Sequence, residues 1–424
     1  MKVLLIAYEF PPSPSPQALR WAYLSRELIR LGHEVHVLTP DLGPVSSGPS
    51  TTILSPELVL HRTYAGPVRG LIAWRRKRRA IRTERERDGK TAMESTQKPR
   101  HRLAPLVINR LYKLSEHVFF PDIRCEWRPF AKARLSRLLR GEAFDVVISS
   151  HEPATTLELG LHAKKGRSIR WIADLGDPVL APYTPRRWTS RANSLERTTC
   201  ETADTVSVTA ESAAELLIQR HKLRRRPVVM TQGYEATPAS APPLRGAYLE
   251  MVYTGRFYSF RRAEALFEAV AATPGVRLSV ATASMPMSLA RIAARCPDRF
   301  RLLGLIEHEE ALVLQKNAHV LVNIANAYST QIPGKIYEYL GAQRPILHLT
   351  HGASDAGAEL VRALRRGWVV QDDRQDIQHV LQQLVALGSS YRNDVDLSLS
   401  TVEQYSWTAI GARLDKLMRD YSDS

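Results

Sequence analysis

Two stretches in the second half of the chain combine charge, glycine and a helix start in the way a diphosphate ligand needs. In Tyr253-Thr254-Gly255-Arg256 an arginine directly follows a short apolar run, and Arg261 and Arg262 lie a few residues on. Gly255 permits close backbone approach, and two guanidinium groups can clamp a diphosphate. Surface arginines are common, so this stretch alone does not decide. The second stretch runs from Tyr328 to Leu340 and carries Thr330, Gln331, Ile332, Gly334, Lys335 and Glu338 after an apolar run at Val320–Ile324. Pro333 and Gly334 fall in the first turn of the expected helix, and backbone N–H groups at such a start attract phosphate. Lys335 adds a positive charge there. Glu338, one turn later, can accept hydrogen bonds from a ribose diol; the plain alternative is an exposed lysine and glutamate in a first helical turn.

In the first half, Ser149-Ser150-His151-Glu152-Pro153 and Asp174-Leu175-Gly176-Asp177-Pro178 each end an apolar run and precede a turn. A lone histidine is more often packed or solvated than chemical. Position at strand carboxyl ends is what makes His151 and Asp177 candidates, because ligands of open α/β sheets bind there. There is no GxGxxG after the first strand, no GxxxxGK[ST] and no HExxH, which argues against dinucleotide, P-loop and zincin chemistry. His33, His36 and His151 have no partners at ligand spacing in the sequence, so a metal-free site is expected.

The elements that must hold these residues follow from periodicity. Val3–Ala7 reads as a strand covered on both faces, Gln17–Leu31 as a helix ending at Gly32, and Val35–Leu38 as the next strand, a βαβ unit with a parallel sheet. Asp145–Ser149, Ile169–Ala173 and Thr205–Thr209 read as further strands. Residues 236–247 are rich in Ala and Pro, as a linker would be. A second alternation follows: strands at Met251–Thr254, Val276–Ala281, Phe300–Leu303, His319–Ile324 and Ile346–Leu349, with helices at 263–272, 287–295, 308–316 and 334–342. The expected domains are 1–235, acceptor-binding and carrying a basic insert at 66–120; 248–404, nucleotide-binding; and a terminal helical segment, 405–424.

A chain of 424 residues, 44% apolar and 24% charged, can bury two cores, which excludes collagen, a disulfide scaffold and wholesale disorder. Three well-separated cysteines and no long apolar run point to a cytoplasmic chain. The net charge of +16 is concentrated: residues 66–113 hold fifteen Lys/Arg against four acids. Trp74-Arg75-Arg76-Lys77-Arg78-Arg79 is its centre, Thr83 to Lys98 reads as a mobile loop, and Leu103, Leu106, Val107, Leu111, Leu114 and Val118 form one apolar helical stripe bordered by bases. Such a stripe suits an anionic lipid surface. A helix packed on its own domain beside a solvated loop is the alternative, and no nucleic-acid module supports contact with nucleic acid.

Together these residues resemble the GT-B glycosyltransferases, specifically glycosyltransferase family 4, over nearly the whole chain. The resemblance rests on GHEVHVLTP, the HEP tripeptide, WIADLGDP, YTGRF and PGKIYEYLGAQRPIL, in that order. It implies an α/β fold of two Rossmann-like domains with a cleft between them and a C-terminal helix crossing back to the first. It implies retaining transfer of a sugar from a UDP- or GDP-type nucleotide sugar to an acceptor hydroxyl, without metal or other cofactor. By the family pattern Arg256, Arg262 and Lys335 stabilise the leaving diphosphate, and Glu338 matches the second acid of a Glu-x7-Glu motif and holds the ribose. Thr330 stands where the first acid is usual, with Gln331, Ile332 and Gly334 beside it on the donor. His151 stands near the donor sugar and acceptor, and Asp177, Gln17 and Arg20 border the acceptor. A Pro/Ser run, Pro11–Pro16, replaces the family's usual glycine pair.

The expected function is therefore a glycosyltransferase on the inner membrane face that extends a lipid-linked or amphiphilic acceptor, in cell-surface polysaccharide or glycolipid synthesis. Its partners would be the nucleotide sugar, that acceptor and an anionic membrane surface. A nucleotide-sugar epimerase of the same fold, or a catalytically silent membrane-binding scaffold, are the alternatives.

Overall fold

A computed structural model describes residues 1–44, 53–88, 119–182, 184–235, 246–258, 263–326, 332–352 and 355–420, apart from the side chains at 83–88, 389 and 391. Contacts divide the chain into two compact units. One comprises Met1–Val208 and Leu217–Val228, the other Thr209–Leu216 and Val229–Ser424.

The first unit runs β1 (Lys2–Ala7), α1 (Pro16–Arg30), β2 (Glu34–Asp41), β3 (Val59–Tyr64), α2 (Pro67–Asp88), a 3-10 turn (Ile123–Trp127) leading into α3 (Arg128–Gly141), β4 (Val146–Ser150), α4 (Thr155–Lys164), β5 (Arg170–Gly176), α5 (Arg186–Thr202) and β6 (Thr205–Val208), then α6 (Glu211–His221), which the division between the units crosses after Leu216, and β7 (Val228–Val229). The sheet order is β3-β2-β1-β4-β5-β6-β7, and β1 pairs parallel with both β2 and β4. Helices on both faces explain why Val3–Ala7 and Val146–Ser150 are buried throughout. Ser15 caps α1 by accepting the Ala18 amide, Pro16 opens the helix, and Gly32 at φ +84° turns the chain out of it.

Two expectations change here. β3 was not anticipated, because VLHRTY is an edge strand with little buried surface and a weak apolar signal. The stretch expected to become a loop at Thr83 stays helical to Asp88, as Arg- and Glu-rich sequence favours. The remainder of that stretch and the apolar stripe Leu103–Val118 lie outside the described residues.

The second unit runs β8 (Leu249–Thr254), α7 (Glu264–Ala272), β9 (Val276–Ala281), α8 (Met287–Arg295), β10 (Phe300–Gly304), α9 (His308–Lys316), β11 (Val320–Ile324), α10 (Lys335–Ala342), β12 (Ile346–Thr350), α11 (Ala356–Ala363), β13 (Gly367–Gln371), α12 (Arg374–Leu387) and α13 (Trp407–Arg419). Its order, β10-β9-β8-β11-β12-β13, is parallel throughout. One core joins Leu266, Phe267 and Val270 of α7 to Val280, Val322 and Leu349 of the strands. α13 is anchored within this unit: the Tyr234 amide donates to Tyr405 and the Trp407 amide to Tyr234. Of the expected linker, 236–245 lie outside the described residues.

In each sheet the chain reverses direction of winding once, between β1 and β4 and between β8 and β11. The loops leaving those paired strands diverge there and open a crevice at the carboxyl edge. His151 and Gly255 stand at these two places.

Candidate active site

In the second unit a buried polar network supports the start of α10. Gln315, fully buried on α9, donates from Nε2 to Thr254 Oγ1 at 3.0 Å and to Glu338 Oε2 at 3.3 Å. The Tyr339 hydroxyl lies 3.2 Å from Thr254 Oγ1 and accepts the Thr254 amide. Lys335 Nζ donates to the same Glu338 oxygen at 2.7 Å. Burial by itself would raise the Glu338 carboxyl; Lys335 and His308 beside it, with the two hydrogen bonds, outweigh burial and hold it below the usual range. Burial in turn lowers His308. Glu338 is thus an ionised acceptor whose Oε1 has no partner among the described residues.

Gly334 caps α10 without a side-chain bond. The Ile336 and Tyr337 amides close tight turns onto Pro333 and Gly334. Among the described residues the Gly334 and Lys335 amides have no acceptor, so the helix start can receive an anion. At the end of β8, Gly255 donates to Ala281, and a Cβ there would sit 3.2 Å from the Tyr253 hydroxyl. That hydroxyl donates to the Arg256 carbonyl at 3.0 Å and fixes the turn bearing Arg256. Ile332 is half-buried, packed against the cluster that holds Tyr234, Ile336 and Leu340. Arg262, Thr330 and Gln331 lie outside the described residues.

In the first unit His151 is buried, and its Nδ1 lies 2.7 Å from the Leu175 carbonyl and 3.0 Å from that of Asp177. Both partners are acceptors, so Nδ1 carries a proton and the other ring nitrogen is left for a ligand. The His151-Glu152 and Glu152-Pro153 peptides are cis. Gln17 donates to the His151 carbonyl at 2.8 Å. Asp177 is raised to about 6, chiefly by burial and then by Glu152, against an opposing effect of His151. These loops wall a cavity of about 240 Å³ with Phe120, Arg124, His151, Glu152 and Trp188 on its surface. Arg20, expected at the acceptor, is instead fully buried, and its guanidinium donates to Asp174 Oδ2 at 2.5 Å. It braces β5 from α1 because an apolar helix face can hold a guanidinium only against a carboxylate.

Sequence reasoning missed three supporting residues. Arg124 bonds Asp122 and Glu9 and lies 3.8 Å from Glu152, joining three loops. Glu196, fully buried on α5, accepts the Leu180 amide at 2.9 Å and also binds Arg220 and His221, fixing the loop after Asp177. Gln315 is the third. The available signal was helical phase: Gln315 shares a face with Ala311, and Glu196 with Ala192 and Thr199. The expectation that His36 lacks neighbours at ligand spacing is also corrected, because β2 and the C-terminal end of α3 bring Glu34 and Glu142 to it. Lys2 Nζ bonds both carboxylates, at 2.9 and 2.8 Å. This cluster stands at the amino ends of the strands, away from His151.

The glycosyl transferase 4-like domain family matches residues 17–233. The chain belongs to that family. No curated protein matches, but solved GT-B structures share the fold. Sucrose-phosphate synthase of Thermosynechococcus elongatus superposes with a TM-score of 0.66 at 17% identity, covering 100% of both chains. HepE of Anabaena, in complex with UDP and glucose, gives 0.64 at 11% identity over 99% of this chain and 100% of its own. WaaG, a glycosyltransferase involved in lipopolysaccharide biosynthesis, gives 0.60 at 10% identity over 98% and 99%. The glycosyltransferase thus combines a family-matched first unit with a second sheet wound in the order that binds nucleotides.

Proposed function

We propose that this glycosyltransferase moves a sugar, with retention, from a UDP- or GDP-type sugar on the second unit to a hydroxyl of a lipid-linked or amphiphilic acceptor on the first. The observation that carries the donor half is the α10 start: two amides without acceptors among the described residues, Lys335 beside them, and an ionised Glu338 one turn on. The sugar C1–O bond to the diphosphate breaks as the acceptor oxygen bonds C1, and the hydroxyl proton passes to a leaving phosphate oxygen. Negative charge grows on the diphosphate, so Arg256, Lys335 and the amides bind the transition state more tightly than the ground state. Losing one such donor typically costs ~2.7–4 kcal/mol of barrier. His151 receives the acceptor hydroxyl, and Gln17 and Asp177 shape that loop. No metal has a part in this scheme, so chelators leave turnover unchanged.

The acceptor half draws on α2. Val68, Leu71, Trp74 and Ile81 are exposed among the described residues, interleaved with Arg75, Arg78 and Arg82. Arg78 lies 4.0 Å over the Trp74 ring. Such a face suits anionic lipid, each near-surface base contributing ~1 kcal/mol before screening. Among the described residues no helix is long and apolar enough to span a membrane. The HepE complex with UDP and glucose favours a UDP-type donor, and WaaG's part in lipopolysaccharide biosynthesis favours a cell-surface pathway.

A thermal-shift and hydrolysis screen of UDP- and GDP-sugars tests the reading. At least one should stabilise the wild type and not Glu338→Ala; no stabilisation by any nucleoside diphosphate would remove the donor assignment.

A further inference from the structure

We propose that a second cavity of the first unit binds a phosphate group borne on an apolar chain, and so selects a phosphorylated amphiphile as acceptor; this rests on the acceptor reading above. The cavity has a volume of about 400 Å³, and Phe119, Phe120, Cys125, Arg128, Lys132 and Arg191 line it. Three of these are cations and none is an acid. Phe120 also lines the His151 cavity, so one ring joins the two spaces.

The cations are oriented. Glu158 accepts from Arg128 at 2.9 Å and from Arg191 at 3.1 Å, so one carboxylate sets the direction of two guanidinium groups. The Arg191 guanidinium lies 4.5 Å over the Phe120 ring, and Trp188 meets the same ring edge-on at 5.6 Å. Each arginine side chain keeps nearly half its surface exposed, 47% and 48%. Each has four further N–H donors beyond the one given to Glu158. Lys132 is exposed, with no ion pair among the described residues. Counting Glu158, the group retains two positive charges. Burial, then Asp122 and Glu158, pushes the Cys125 thiol up to about 11, so it stays protonated and uncharged.

A neutral sugar has no use for such a charge excess, whereas a phosphate ester uses all of it, and its chain can lie on Phe119 and Phe120. Because Phe120 borders both cavities, a phosphate held here and a reacting hydroxyl beside His151 can belong to one molecule.

Calorimetric titration of the full-length protein tests this with three probes: dodecyl phosphate below its micelle concentration, inorganic phosphate and dodecyl maltoside. Dodecyl phosphate should bind at least about tenfold more tightly than either of the others, and Lys132→Gln/Arg191→Gln should weaken it by about tenfold or more. Phe119→Ala should close the gap between dodecyl phosphate and inorganic phosphate. Unchanged dodecyl phosphate binding in the double variant overturns the proposal. Equal binding of inorganic and dodecyl phosphate, both lost in the variant, assigns the cavity to free phosphate and overturns the acceptor claim. Stabilisation by nucleoside diphosphate, measured in parallel on the same variant, should persist; its absence from the wild type as well would count against the donor reading, not against this cavity.

Discussion

The Gln17 side-chain amide donates to the His151 carbonyl at 2.8 Å directly over Gly176. Gly176 has φ +61°, and a Cβ there would lie 2.7 Å from Gln17 Nε2 and 3.3 Å from the His151 oxygen. The start of α1, the loop after β4 and the end of β5 therefore meet at one point that only glycine leaves open.

Gly176→Ala should lower stability by ~1–2 kcal/mol through its left-handed backbone alone. It should also push Gln17 off His151. Turnover should fall while stabilisation by nucleoside diphosphate, which we propose for the second unit, stays at the wild-type value. Parallel activity and thermal-shift measurements check both parts.

Arg20→Met should cost about 3–5 kcal/mol, because Asp174 would remain buried without its cation. Among the described residues Asp174 keeps the Ser207 hydroxyl at 2.8 Å as compensation. Urea unfolding measures the loss. A variant as stable as the wild type would remove the bracing role assigned to Arg20.

Two of the perturbed carboxylates, Asp177 and Asp355, predict opposite pH responses. Asp177 is raised from 3.8 to about 6, so its protonated form favours the fold. That contribution is complete below 3.8 and lost as pH rises through about 6. Asp355, which caps α11 and binds His348, is lowered to about 2, burial being outweighed by that histidine and further hydrogen bonds. Its contribution is present above 3.8 and lost as pH falls toward 2. Between about pH 4 and 7 the wild type should therefore gain on Asp177→Asn as pH falls, in unfolding curves taken across that window.

Lys335→Met should free the Glu338 carboxyl from the cation that helps to hold it low. Donor binding in the variant should weaken, and should weaken further at mildly acidic pH, where a protonated Glu338 has lost its charge for the ribose hydroxyls. Titration of the donor nucleotide at several pH values distinguishes this from simple loss of one phosphate contact, which would be flat with pH.

Much of the architecture was legible because parallel strands buried on both faces, such as Val320–Ile324, are continuous apolar runs, and several helices between them, such as α1 at Gly32 and α8 before Pro297, end beside Gly or Pro. Every strand and helix expected between 251 and 349 lies within two residues of its place. β3 was hidden because an edge strand buries one face weakly. The site was only partly legible for a different reason. His151, Gly255 and Glu338 sit at strand ends and a helix start, which local patterning marks. Arg124, Glu196 and Gln315 act largely through distant partners, as with Gln315 and Glu338, 23 residues apart, or Arg124 and Glu9, 115 apart, and such pairings have no local pattern. Arg20 shows the converse: a charged residue in the first turns of α1, beside a promising loop, turned inward once Asp174 offered a buried partner.

A crystal structure of the protein soaked with UDP or GDP tests the central claim most directly. The diphosphate should lie against the Gly334 and Lys335 amides, with the ribose hydroxyls on Glu338. Nucleotide density at any other place, with α10 unoccupied, would contradict the account.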